Sequence, residues 1–228
     1  MRDALTLFPE GLALGEAFIN RVSERNTLIK RIKSSKHTVL MAPRRYGKTS
    51  LVMQVATDLK MHSCAIDLLA AYDVAYVRDQ IVEKVGRLAI ELLPTVSKKA
   101  PEKLMQIFKK MKPEITLGAF GQKLTLQFTS NPLQDITDIL LKLDETAKHF
   151  KKNAVIFLDE FQQISLLKNA HSIEASLRHA AERSVNIAYV FSGSNRRLLA
   201  QMFGDSARPL YRLCQLIDRK STRLNSSH

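Results

Sequence analysis

The stretch Ala42-Pro43-Arg44-Arg45-Tyr46-Gly47-Lys48-Thr49 constrains this chain more than any other. It lies between a short apolar run, Thr38-Val39-Leu40-Met41, and a segment from Ser50 in which Leu51, Val52, Val55 and Leu59 recur on one helical face. That order reads as buried strand, tight loop, helix. At such a junction the first N–H groups of the helix lack intrahelical partners and the helix dipole adds positive potential, so a phosphate is the natural guest. A lysine there reaches the terminal phosphates, and a neighbouring hydroxyl is an oxygen ligand for Mg²⁺. Gly47, Lys48 and Thr49 take these roles, and Pro43, Arg44, Arg45, Tyr46 and Ser50 complete the nucleotide-binding stretch. The alternative, a chance Gly-Lys-Thr turn, lacks a reason for the strand before and the helix after. The pattern departs at its start, where Ala42 stands in place of a glycine. A methyl group is tolerated there only while φ stays below zero, whereas Gly47 must let the backbone approach the phosphate closely.

A second element completes this chemistry. Ala154-Val155-Ile156-Phe157-Leu158 reads as a central parallel strand buried on both faces, and Asp159-Glu160-Phe161 follows at its C-terminal end. Ligands of open α/β sheets bind at that end. Asp159 is placed to hold Mg²⁺ together with Thr49, and Glu160 to orient or deprotonate an attacking water. An apolar run ending in acids is weak by itself; downstream of a phosphate loop it becomes strong. Asn186 to Phe191 is another buried strand, ending in Ser192-Gly193-Ser194-Asn195. Ser194 or Asn195 can contact the γ-phosphate or the water, and either can equally cap the helix from Arg196 to Phe203. Position alone does not choose. Further on, Arg212, with Arg208 as the alternative, can act as an arginine finger on a neighbouring subunit's nucleotide, or as a surface ion pair.

The remaining segments frame these two. Phe18 to Glu24 leads into Leu28, Ile29 and Ile32 at helical spacing, with Ser23 expected as the cap. A strand is expected from Cys64 to Leu69, a long helix from Val74 to Leu93, and another from Leu133 to His149. A helix from Ile173 to Ser184 and a last strand from Leu213 to Ile217 close the pattern. Lys98 to Lys112 sets six lysines around Leu104, Ile107, Phe108 and Met111, which reads first as a solvated face over an apolar stripe and second as a nucleic-acid contact. Alternation around Gly118 and Gly121 reads as a β-hairpin.

At 228 residues and 45% hydrophobic, one α/β domain is expected. Cys64 and Cys214 stand far apart without a CxxC pattern, which argues against a zinc site or disulfide framework, and both are expected to be small buried hydrophobes. No apolar run is long enough to span a bilayer and no signal-peptide pattern opens the chain, so a cytoplasmic location is expected. The net charge of +13 allows a polyanionic partner, although the polar stretch from Asp218 to His228, which resembles a translated sequencing adapter, contributes to it.

The Phe18–Glu24 box, the APRRYGKTSL and VIFLDEF segments, FSGSNRRLL and PLYR occur here in an order that resembles the prokaryotic ATPases related to the AAA+ and STAND groups, described as predominantly archaeal. The likeness spans about Gly15 to Ile217. It implies a P-loop NTPase fold: a three-layer α/β/α sandwich on a mostly parallel five-stranded sheet, with the hairpin as an insertion. It also implies ATP and Mg²⁺ as ligands and ATP hydrolysis as the activity, with backbone around Phe18, Asn20 and Arg21 lining the adenine pocket. Relatives of this type continue into a helical lid and commonly a winged-helix domain. Residues 1–217 are therefore expected to be an ATPase domain cut before its lid, and 218–228 a non-native tail. A DNA or protein partner would then engage through the missing region, and a homo-oligomer would supply the arginine finger. A GTPase is disfavoured because no Asn-Lys-x-Asp occurs.

Overall fold

The computed structural model describes residues 22–44, 46–94, 97, 99–118 and 121–218. Helix α1 (Val22–Lys33) packs Leu28 and Ile32 inward, with Glu24 in its first turn and Lys30, Arg31 and Lys33 in its last, the charge order a helix dipole favours. Ser23 already lies within its first turn rather than capping it. Strand β1 (Thr38–Met41) follows, then α2 (Lys48–Asp58), β2 (His62–Asp67) and α3 (Val74–Glu91), whose cap Asp73 accepts from the Tyr76 N–H. The expected Cys64–Leu69 strand therefore sits two residues earlier.

Helix α4 (Ala100–Ile107) and a 3₁₀ turn (Lys109–Met111) occupy the lysine-rich segment. Leu104, Ile107, Phe108 and Met111 are buried in the main core while Lys109, Lys110 and Lys112 are exposed, as a solvated face over an apolar stripe requires. Strands β3 (Glu114–Gly118) and β4 (Gly121–Thr125) pair antiparallel as the expected hairpin. Helix α5 (Pro132–His149) starts with Asn131 accepting from the N–H groups of Leu133 and Gln134 and with proline at its first position. Strand β5 (Ala154–Asp159), a 3₁₀ helix (Phe161–Leu166), α6 (Ala170–Arg183), β6 (Ile187–Gly193), α7 (Arg196–Gly204) and β7 (Gln215–Asp218) complete the order.

The five long-range strands form one sheet in the order β2-β5-β6-β1-β7, every neighbouring pair parallel. The last strand runs one residue beyond expectation, because Asp218 still pairs with Met41. Strand periodicity sorts the core into two layers. Val39, Ile156, Leu158, Tyr189 and Phe191 face α3, α5 and α6, while Leu40, Val155, Phe157, Ala188 and Val190 face α1 and α2. Helices thus cover both faces, as an all-parallel sheet demands. Cys64 and Cys214 are free thiols, partly rather than fully buried, and burial pushes the Cys64 thiol up to about 12. Among the described residues, no helix is long and apolar enough to cross a membrane.

Candidate active site

β1, β5 and β6 are neighbours, and their C-terminal ends bring three loops to one crevice. On β1 the chain leaves Met41 into the loop. Ala42 is buried and takes no positive φ, so the methyl group in place of a glycine is accommodated. Gly47 sits at φ 61° and ψ 37°, in the left-handed region, immediately before α2. A side chain there would strain the turn. The N-cap position of α2 falls on Gly47, which has no side chain to close the helix end, and a loop entering a helix N-terminus in this way is an arrangement that receives a phosphate.

Lys48 is buried. Its Nζ lies 3.5 Å from the carbonyl oxygens of both Ala42 and Pro43 and 3.4 Å from Glu160 Oε1. These are long contacts, each individually weak. Thr49 Oγ1 donates to Asp159 Oδ2 at 2.8 Å, which joins the loop directly to the end of β5. The other carboxylate oxygen, Asp159 Oδ1, accepts from the backbone N–H of Glu160 and from the hydroxyl of Ser192. Thr49 and Asp159 therefore form a pair of hard oxygen donors beside the phosphate loop, which fits Mg²⁺ with its preference for one or two protein oxygens plus phosphate and water. Among the described residues, no group of three or more His, Cys, Asp or Glu gathers to hold a metal.

Glu160 is also buried, with its backbone left-handed at φ 49°. Its Oε2 accepts from Gln162 Nε2 at 2.6 Å and from Ser194 Oγ at 2.8 Å, while Oε1 faces Lys48. Burial pushes the carboxyl up, but those two hydrogen bonds and the Lys48 ammonium outweigh it and hold it below the ordinary carboxylate range. The side chain is an anion in this state.

The structure distributes the expected roles unevenly. Of the two residues after β6, Ser194 faces Glu160, whereas Asn195 accepts from the Leu198 N–H and caps α7. Ser50 is buried and Arg44 and Tyr46 are exposed at the loop. Arg208 does not stand free: its Nε and Nη2 bind the carboxylate of fully buried Glu174, and its Nη1 meets His171. Arg212 is exposed, its guanidinium 5.0 Å over the Tyr211 ring, and it lines a cavity of about 590 Å³ with Arg31, Lys36 and His37. Those residues precede β1 and β7, so Arg212 lies at the end of the sheet opposite the phosphate loop. Phe18, Asn20, Arg21 and Arg45 lie outside the described residues; Glu24 lines a small cavity with Ala42, Lys48 and Ile217. Two polar partners were not anticipated. Ser192 had a signal, a small hydroxyl at the end of an apolar strand; Gln162, inside a 3₁₀ helix, had none.

No family model matches the chain, and no curated protein matches it in sequence. Solved structures do match in fold. The Walker-type ATPase PABY2304 of Pyrococcus abyssi superposes with a TM-score of 0.63 at 17% identity, over 93% of this chain and 57% of its own. The Aeropyrum pernix ORC1 protein in complex with DNA gives 0.57 at 12% identity, over 95% and 49%. The Aeropyrum pernix ORC2 protein in ADPNP–ADP complexes gives 0.57 at 12% identity, over 95% and 51%. The chain spans about half the length of these proteins. With its parallel sheet, helices on both faces and a loop and helix after β1, it has the P-loop NTPase fold.

Proposed function

We propose that this chain is an ATP-binding, Mg²⁺-dependent ATP-hydrolysing switch of the AAA+/STAND kind. One observation carries the reading: the Thr49–Asp159 hydrogen bond and the Lys48–Glu160 ion pair lie side by side, joining the loop to the acidic strand end at two points. A coincidental Gly-Lys-Thr turn has no reason to meet that strand. The fold neighbours include a protein described as an ATPase and one in ADPNP–ADP complexes, which supports adenine nucleotide as the ligand.

In this mechanism the phosphates of ATP settle on the N–H groups of the loop and of the first turn of α2. Lys48 exchanges its long contacts to Ala42, Pro43 and Glu160 for the β- and γ-phosphates. Thr49 and Asp159 would hold Mg²⁺, which would supply neutralisation of the charge developing on the phosphates. Glu160, freed from Lys48 and still anionic, orients and deprotonates the attacking water. Ser194, hydrogen-bonded to Glu160, contacts the γ-phosphate or that water, while Asn195 serves as a cap. Arg212 acts in trans, since it stands at the far end of its own sheet. The switch operates in the cytoplasm and responds to a DNA or protein partner.

The test is ATP binding and turnover with Mg²⁺ for wild type, Lys48→Ala and Glu160→Gln. Lys48→Ala should lose nucleotide binding; Glu160→Gln should bind ATP and turn it over about 10²-fold or more slowly, the usual range for general base catalysis. Wild-type turnover in Glu160→Gln would sink the base assignment. A second reading, a nucleotide-gated DNA-binding module with little turnover, draws on the DNA complex among the fold neighbours and the exposed lysines from Lys109 to Lys112. DNA affinity falling steeply with salt, without turnover, would favour it.

A further inference from the structure

We propose that Gln162 is the positioning residue for Glu160, and that Gly193 is a glycine because the Gln162 amide occupies the space a side chain would fill. The inference rests on Glu160 acting as the base. Among the described residues, three groups hold the Glu160 carboxylate: Lys48, Ser194 and Gln162. In the cycle above, two of them have other work. Lys48 leaves for the phosphates and Ser194 turns to the γ-phosphate or the water. Gln162 alone is left to keep the carboxylate aimed.

Its anchoring suits that task. Gln162 is 4% exposed and lies in the 3₁₀ helix Phe161–Leu166, whose Phe161 and Ile164 are fully buried. Its contact to Glu160 Oε2, at 2.6 Å, is shorter than the Ser194 contact to the same oxygen. The amide has one acceptable orientation: turned over, its carbonyl oxygen would face the carboxylate oxygen. The other end of the amide explains Gly193. A Cβ at position 193 would stand 1.8 Å from Gln162 Oε1 and 2.9 Å from its Cδ. Gly193 takes no positive φ and pairs in register with Met41, so the strand does not need glycine for its conformation. It needs glycine for room, a reason that recurs where a group approaches a strand closely.

Packing alone does not account for Gln162. Its Oε1 is buried and has no hydrogen-bond partner among the described residues, a state that disfavours folding relative to an apolar side chain of similar shape. The amide is placed where only its N–H end is used, and that end points at the base. Because the amide is the end of a flexible side chain, an added methyl at 193 displaces it from Glu160 before it displaces the strand.

The test compares thermal unfolding and steady-state ATP turnover of the 228-residue chain as wild type, Gln162→Ala, Gly193→Ala, the double variant and Glu160→Gln. Gln162→Ala should lower kcat about tenfold or more with KM for ATP changed less than about twofold, the pattern of an interaction used in the transition state. Gly193→Ala should lower both kcat and Tm. Adding Gln162→Ala should restore much of the Tm, with Leu199 Cδ1, 3.0 Å from the added Cβ, accounting for the remainder, and leave kcat low. Were Gln162 merely structural, turnover would return with Tm. Should Gln162→Ala fail to fold, Gln162→Met, apolar and of similar length, carries the turnover arm, and Gln162→Ser, too short to reach the added Cβ, carries the unfolding arm. Wild-type kcat in the Gln162 variant beside an inactive Glu160→Gln would overturn the inference. So would a Tm loss for Gly193→Ala that is the same whatever stands at 162. Wild-type turnover in Glu160→Gln would overturn the base assignment and the positioning role that rests on it, and the unfolding arm would still decide the Gln162–Gly193 seat.

Discussion

Replacing Arg208 with alanine removes the cation from a carboxylate that has no water to turn to. Glu174, on α6, is fully buried, and the Arg208 side chain is 13% exposed. Two guanidinium nitrogens bind the two carboxylate oxygens. Breaking a buried pair of this kind costs about 3–5 kcal/mol, mostly the penalty of the stranded charge. At about 2–4 °C per kcal/mol for a chain of this size, Tm should fall on the order of 6–20 °C. Burial pushes the Glu174 carboxyl above its ordinary value even though Arg208 and His171 pull it back. A carboxyl raised in the folded state binds its proton more tightly there than when unfolded. Its stabilising contribution is full below the ordinary carboxylate range and is lost as pH rises through the folded value. Without Arg208 that value rises further, so the deficit against wild type should shrink on acidification, as Glu174 becomes neutral. Glu174→Gln combined with Arg208→Ala should recover most of the loss at neutral pH. Urea unfolding at about pH 4 and about pH 7 measures both effects. A loss below about 1 kcal/mol, the scale of a surface pair, or a deficit equal at both pH values would refute the argument. If it holds, lost turnover in Arg208→Ala reports a damaged fold and says nothing of an arginine finger.

Arg212→Gln supplies the cleaner test of that role. It should leave Tm unchanged, because the side chain is exposed, and lower turnover at least about tenfold, well within what such a residue contributes. Turnover per chain should rise with protein concentration in wild type and stay flat in the variant, with Lys36→Ala, in the same cavity, as the control; flat wild-type turnover would remove the trans arginine. His37 gives a second pH dependence. Its Nδ1 accepts from the Tyr189 N–H and its Nε2 donates to the Ala181 carbonyl, and burial, helped by the Arg31 charge, holds the ring below its ordinary value. The unfolded chain then binds the proton more tightly, so stability should be full above about pH 6.5 and fall as pH drops from there through the folded value. In His37→Gln, unfolding midpoints should lose that acid slope between about pH 7 and pH 5; a slope that persists would assign it to another group.

The elements that carry the site were legible because each has a local physical signature. Thr38–Met41 and Ala154–Leu158 are apolar on both faces, which only a covered parallel strand tolerates, and Gly47-Lys48-Thr49 marks the loop between strand and helix. Pairing of Asp159 with Thr49 followed from function once both were placed. What was not legible depends on contacts across the fold. Whether Ser194 or Asn195 faces Glu160 turns on which starts α7, a shift of one residue, and that is the scale on which helix ends vary. Arg208 and Arg212 look alike in sequence; Glu174, far back on α6, separates them. Gln162 and Gly193 act through each other, and neither residue carries a signal alone.

The adjacent acids show why sequence position and site geometry diverge at this point. In a continuing strand, Asp159 and Glu160 would point to opposite faces of the sheet, and one crevice could not use both. Asp159 is still in register with Asp67. Glu160 leaves the strand at φ 49°, a conformation that costs a non-glycine residue about 1–2 kcal/mol. The turn swings its side chain back over the loop, and the cost is offset locally. The Glu160 N–H reaches Asp159 Oδ1, its carbonyl accepts from Gln163, and its carboxylate gathers Lys48, Gln162 and Ser194. A strained residue held by five separate hydrogen bonds is over-determined by its surroundings, the condition under which such strain persists at working sites. Asp159 takes the hydroxyls of Thr49 and Ser192, and Glu160 the ammonium of Lys48. One residue of backbone distortion thus gives two chemically identical groups different partners, the division that the proposed metal-holding and water-handling roles require.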